Sequence, residues 1–134
     1  MSGIEVIEFD GEIIAIVVRS NYNPERVSFV TSEDSPLQLG IFCHKKNSEI
    51  KPHIHKEVER VIKKTLEALH IEYGCVSVEL YSSDGKKIKT ITLNGGDTIM
   101  FIGGGHGIKI LEDSKIIEIK QGPYYGVEVD KKYI

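Results

Sequence analysis

Tryptophan is absent from this 134-residue sequence, and alanine and leucine together number only nine. Isoleucine and valine, by contrast, number 31. Branching at Cβ costs rotamer freedom in a helix and packs well on a pleated sheet, so this balance excludes an all-α bundle and predicts a mainly β protein. Cysteine is scarce as well, with Cys43 and Cys75 both in apolar, strand-like runs. Buried free thiols in a reducing compartment are expected, and no disulfide framework is needed. A domain of this length buries about two-thirds of its unfolded surface without one. Basic excess is missing too. The net charge is −3, and Lys and Arg are nowhere interleaved with aromatic residues. No strong field then draws the chain to nucleic acid or anionic lipid. No apolar run approaches the roughly 20 residues that cross a bilayer. The start, Met1-Ser2-Gly3-Ile4-Glu5, lacks the basic region and apolar core of a signal peptide. The expectation is a cytoplasmic protein with neither nucleic-acid nor membrane partners.

What is present is a series of short, evenly punctuated segments. Asp10-Gly11 separates Ile4–Phe9 from Glu12–Arg19, and a polar break precedes Arg26–Thr31. Leu37–His44 and Ile50–His55 flank the Asn47-Ser48-Glu49 turn. Cys75–Tyr81 alternates, with Val76, Val78 and Leu80 on one face, and Asp84-Gly85 turns it into Lys86–Leu93. Thr98–Ile102 follows the Asn94-Gly95-Gly96-Asp97 turn, and Gly103-Gly104-Gly105 makes a corner into His106–Leu111. Glu112-Asp113-Ser114 is read as a turn before Lys115–Lys120. Strands at this spacing with Gly/Asp turns predict a sandwich or small barrel in a single domain over 1–134.

One stretch reads two ways. In Lys56–Leu69, residues Val58, Val61, Ile62, Leu66 and Leu69 fall at helical spacing, and Glu59–Lys63 is an i,i+4 ion pair. As strand, Glu67, Leu69, Ile71 and Tyr73 share one face, with Ala68, His70 and Glu72 on the other. Local propensity leans to helix, and tertiary context in a β chain can override it.

Of the five histidines, His53 and His55 form Pro-His-Ile-His on an expected strand. Residues two apart on a strand point to one face, so two imidazoles can converge on one metal ion. A third ligand then has to come from a neighbouring strand, with Glu67 and His106 as candidates. His70, out of phase with Glu67, is expected to point away from the interior. His44, at a strand end, has no clear facing. Cys75 has no cationic neighbour in sequence to activate it. Gly103–Gly105 lacks the Lys-Ser/Thr and following helix of a phosphate loop.

The order Asn47-x5-His53-x-His55, Glu67-x6-Gly74, the Gly95-Gly96-Asp97 turn and His106 resembles the two motifs of the cupin superfamily. Those motifs read G-x5-H-x-H-x(3,4)-E-x6-G and G-x5-P-x-G-x2-H. The resemblance implies an all-β, cupin-type jelly-roll barrel holding a divalent metal through His53, His55, Glu67 and His106. Fe, Mn, Ni and Zn all suit such a ligand set. There are departures. Asn47 replaces glycine, eleven residues separate His55 from Glu67, and the family proline is missing. Glu59 fits the short spacing but has no glycine seven residues on, which favours Glu67. The tail Ile116-Ile117-Glu118-Ile119-Lys120-Gln121-Gly122-Pro123-Tyr124 with Asp130-Lys131 is similar to the endings of small cupins of surface-polysaccharide and nucleotide-sugar pathways.

Three functions follow from the resemblance as expectations. The first is metal-dependent binding or chemistry on a small ligand, a carbohydrate or a carboxylate. The second is a non-catalytic ligand-binding or sensor module. The third is a metal-free sugar isomerase or epimerase with a pocket histidine as base. A homodimer is also expected, because the apolar strands of Ile4–Arg19 can extend a partner's sheet.

Overall fold

The structure, a computed structural model, describes residues 3–134. They form two compact units, residues 3–22 with Thr65–Ile134, and Asn23–Lys64. The first unit holds strands β1 (Ile4–Phe9), β2 (Glu12–Val18), β5 (Glu67–Tyr81), β6 (Lys87–Asn94), β7 (Thr98–Phe101) and β8 (Gly105–Lys120). It ends in a single helical turn, α1 (Val127–Asp130). The second unit holds β3 (Val27–Phe29) and β4 (Gly40–Phe42), paired antiparallel. Phe29 and Phe42 meet edge to face across that pair, 6.0 Å between centroids.

The six strands of the first unit make one antiparallel sheet, β1-β2-β7-β5-β6, with β8 on the other side of β5. The sheet is curled into a half-barrel. Its curl comes from β5. The first residues of this 15-residue strand pair with β7, and Cys75–Tyr81 pair with β6, while β8 follows the whole length. Between the two halves the register shifts three times, around Gly74 at φ 105°. That conformation suits glycine alone, and a Cβ there would collide with Ser114 Oγ and the Asp113 carbonyl. Ser114 Oγ accepts from the Cys75 N–H at 3.1 Å and donates to the Glu112 carbonyl at 2.7 Å.

The bulge also reverses which residues face the core. Before it Leu69 and Ile71 are buried there; after it Val76, Val78 and Leu80 are. They pack with Ala15, Val17, Ile91, Leu93, Ile99 and Phe101 in one apolar cluster. Tyr73, in phase with Leu69 by simple alternation, falls in the irregular stretch and is exposed.

The stretch that reads two ways is decided, and the expected strand Ile50–His55 and turn Glu112-Asp113-Ser114 need correction. Lys56–Leu69 forms no helix: residues 43–66 are irregular and a strand begins at Glu67. Two flanking strands supply backbone partners to residues 67–70, and this outweighs a modest helical propensity. Ile50–His55 is not a strand; Pro52 has no N–H to give a ladder, and Ile54 is 93% exposed. Glu112-Asp113-Ser114 does not turn the chain back, because Ser114 is bound into the β5 bulge and β8 continues unbroken past it. The tail carries the single helical turn α1.

One ion-pair cluster ties the N-terminal hairpin to the β6–β7 turn. Arg19 Nε donates to Glu5 at 2.7 Å, and Nη1 donates to Asp97 at 3.1 Å and to the Thr92 carbonyl at 2.7 Å. Asp97 is buried and also accepts from the backbone N–H groups of Ser20 and Asn94. Asp97→Ala leaves these donors without an acceptor and should cost roughly 2–4 kcal/mol, with Asp97→Asn costing less. A drop in the urea midpoint at unchanged slope is the expected reading, and equal midpoints for Asp97→Ala and the parent would exclude the clamp.

Candidate functional site

Glu67 opens β5, with Phe101 of β7 opposite it on one side and Lys120 of β8 on the other. His106 is the second residue of β8 and pairs with Leu80 near the far end of β5. The curl of the sheet brings the two together: His106 Nε2 lies 2.7 Å from Glu67 Oε1. The corner before β8 requires glycine. Gly104 sits at φ 64°, and a Cβ on it would meet the Tyr81 carbonyl oxygen and Ile14. Beneath the imidazole lies the Phe101 ring, 3.7 Å away and inclined by only 6°. The side chains of Glu67 and His106 are 12% and 30% exposed, so the pair faces solvent through the imidazole.

A second carboxyl joins them. Glu118 lies opposite Leu69, diagonal to Glu67 on the same face, and is hydrogen-bonded to it. Burial pushes the Glu67 carboxyl up. The hydrogen bonds from His106 and Glu118, with the charges of His106 and Lys120, outweigh burial and hold it below the usual carboxylate range. Glu118 moves the opposite way, raised by its hydrogen bond to Glu67, by desolvation and by the Glu67 charge. Of the two carboxyls, Glu118 is therefore the one that takes up a proton more readily as pH falls. Lys120 loses some solvation, but Asp130 at 3.4 Å and the nearby Glu118 and Glu67 hold its ammonium above the ordinary lysine value.

This arrangement is that of a carboxylate orienting an imidazole. Glu67 accepts from Nε2–H, which fixes the tautomer and leaves Nδ1 as the open basic nitrogen. Phe101 supports the ring plane, and Glu118, one hydrogen bond from Glu67, is the more readily protonated carboxyl.

The other expected residues lie elsewhere. His53 and His55 belong to the second unit, their rings 5.1 Å apart, with His53 Nδ1 donating to the Lys51 carbonyl at 2.7 Å. The four expected ligands thus fall as two pairs, one in each unit. Among the described residues no three His, Cys, Asp or Glu side chains are gathered as a metal ion needs, and neither pair alone supplies three ligands. Glu59 is exposed in the irregular segment. His70 does point away from the core, binding Thr98 Oγ1 at 2.9 Å, and His44 is exposed beside Phe42. Cys75 is buried, Cys43 half-buried, and both are free.

Glu118, Lys120, Phe101 and Asp130 escaped the sequence reading. The one available signal was the alternation Ile116-x-Glu118-x-Lys120, which sets two charges on the face that Ile116 turns to the core. Compared with protein-family models, curated proteins and solved structures, the chain matches none. The cupin likeness accordingly rests on its motif residues.

Glu67→Gln removes the charge that raises the Glu118 carboxyl. Carboxyl carbon NMR should show Glu118 titrating at lower pH in this variant than in the parent, and an unmoved Glu118 midpoint would rule out the coupling of the two carboxyls.

Proposed function

We propose that the curled sheet is part of a cupin-type jelly-roll barrel, and that its ligand is a carbohydrate bound at Glu67, His106 and Glu118. The reaction is proton transfer of the isomerase or epimerase kind. The observation that supports this is the 2.7 Å His106–Glu67 contact with Nδ1 left open. In such a reaction His106 Nδ1 takes the proton from the carbon next to a sugar carbonyl. The electron pair moves to the carbonyl oxygen, which gains charge and accepts a hydrogen bond from Glu118 in its protonated form. Return of the proton to either carbon of the enediol or enolate completes the change, and no oxidant or reductant enters. A carboxylate ligand is disfavoured, because Glu67 is ionised and Asp130 is close by.

A second reading, a divalent ion held at His53 and His55, draws support from a different observation. The Nδ1–H of His53 is occupied by a backbone carbonyl, leaving Nε2 free in the way metal-bound imidazoles are commonly oriented. Homodimerisation belongs to both readings: β1 is an edge strand with Val6 half exposed, where a second copy can add to the sheet.

Proton NMR in D2O tests the first reading directly. Reducing sugars and nucleotide-linked sugars that carry a carbonyl should gain deuterium at the adjacent carbon. Exchange should persist after exhaustive chelation and fall about 100-fold or more in His106→Ala. Exchange that survives His106→Ala, or none with any of these sugars, would sink the acid–base reading. Exchange abolished by chelation and by His53→Ala would move the assignment to the metal.

A further inference from the structure

Residues 121–134 leave β8 beside Glu67 and end beside His106. At the first end stands Lys120, the cross-strand partner of Glu67. It holds Asp130, the last residue of α1, at 3.4 Å, and its ammonium lies 4.9 Å from the centroid of the Tyr124 ring. At the other end Ile134 rests on Gly105, the residue before His106. A Cβ at Gly105 would collide with Ile134 Cδ1, and one at Gly85 would touch Ile134 Cγ2. Between these points little holds the segment. Helix α1 has no buried residue, and Tyr124, Tyr125 and Tyr133 are all exposed. Lys131 contributes its positive charge near Glu118. A segment fixed at two points and unburied between them belongs to the low-stability part of a fold, which opens without unfolding the rest.

We propose that residues 121–134 are a strap that walls the Glu67–His106 site, latched by Lys120–Asp130 at one end and by Ile134 on Gly105 at the other. The latches set how readily a ligand reaches Nδ1 of His106. Glycine at 105 gives Ile134 its seat, and the partly exposed ion pair makes the first latch sensitive to salt. Lys120 serves here as a positioning residue: one ammonium neighbours the Glu67–Glu118 pair and also fastens the strap. The inference rests on His106 being the working base.

Access is measured without knowing the ligand, by acylating the full-length protein with diethyl pyrocarbonate and following each histidine by mass spectrometry. His53, exposed and in the other unit, is the internal reference, and alkylation of buried Cys75 reports general loosening. Asp130→Asn and Ile134→Ser should each raise the His106 rate by up to about fivefold, the population change that loss of one part-exposed contact brings. Asp130→Glu should restore the parent rate. Added salt should speed His106 in the parent but not in Asp130→Asn. Unchanged His106 rates in both variants would overturn the strap, and so would a His106 increase matched by Cys75. Sugar exchange without these access effects leaves the acid–base reading and removes the strap. The access effects without sugar exchange leave the strap and remove the assigned chemistry.

Discussion

The rest of the first unit depends on the bend of β5 at Gly74. A 15-residue strand left straight would span roughly 50 Å, far more than a domain of this size can cover with partners. The bulge divides it into two shorter arms at an angle. One arm is laddered to β7 and the other to β6, while β8 bends with both. Because the bulge adds a residue, the core-facing set passes from Leu69 and Ile71 to Val76, Val78 and Leu80. Both arms thus present apolar side chains to one interior. Strict alternation over the same length would have turned Val76, Val78 and Leu80 outward, each a loss of about 1.5–3 kcal/mol of burial. Gly74 is the residue that permits this, and Ser114 is the side chain that satisfies the interrupted backbone.

The same bend places the chemistry. Glu67 and His106 sit near opposite ends of the β5–β8 ladder and would lie far apart on a flat sheet. Curling brings them within one hydrogen bond. The cost of sinking a carboxylate against Phe101 and the core is offset by three partners at once: the imidazole, the Glu118 carboxyl hydrogen-bonded to it and the Lys120 ammonium. The strand ends opposite this cluster are fixed by the Arg19–Asp97 clamp, so the polar groups of the unit gather at its rims. On the outer face, Glu79 lies between Lys87 at 2.9 Å and Lys109 at 3.3 Å, and hydrogen bonds from Lys87 and Tyr81 help to hold its carboxyl at about 2.

Much of this architecture is legible in the sequence, and the limits have physical causes. The excess of Ile and Val over Ala and Leu announces the sheet, and the Asp-Gly and Gly-Gly-Gly signals mark the turns at residues 10–11, 84–85 and 103–105. Glu67, Gly74 and His106 are recognisable as a motif, and the structure joins the first and last of these. Glu118 is invisible because a lone Glu in an alternating strand looks like an ordinary solvent-facing residue. Only the parity of Ile116 and the register with β5 put it, still exposed, on the same face as Glu67. Lys56–Leu69 misleads for a different reason. Its helical spacing is real, but a single helix stabilised by local terms is marginal, whereas Glu67–His70 gain a backbone ladder on both sides. The extended His-x-His strand fails because strand formation needs a partner, which no short sequence pattern reports.

These constraints bear on the proposed proton transfer, which needs an imidazole that is both held and accessible. A histidine in the middle of the half-barrel would be desolvated on both nitrogens, and its charged form would be penalised. At the rim, His106 has Nε2 against the Glu67 carboxylate while its side chain remains 30% exposed, so the ring is held on one side and still accessible. Phe101 supplies the flat apolar support that holds the ring in that plane without competing for either nitrogen. The two carboxyls are also driven apart: Glu67 is held low beside the imidazole it orients, while Glu118 is raised by its neighbour. Each role follows from register alone, since moving β8 by one residue along β5 would turn Glu118 and His106 to the outer face together.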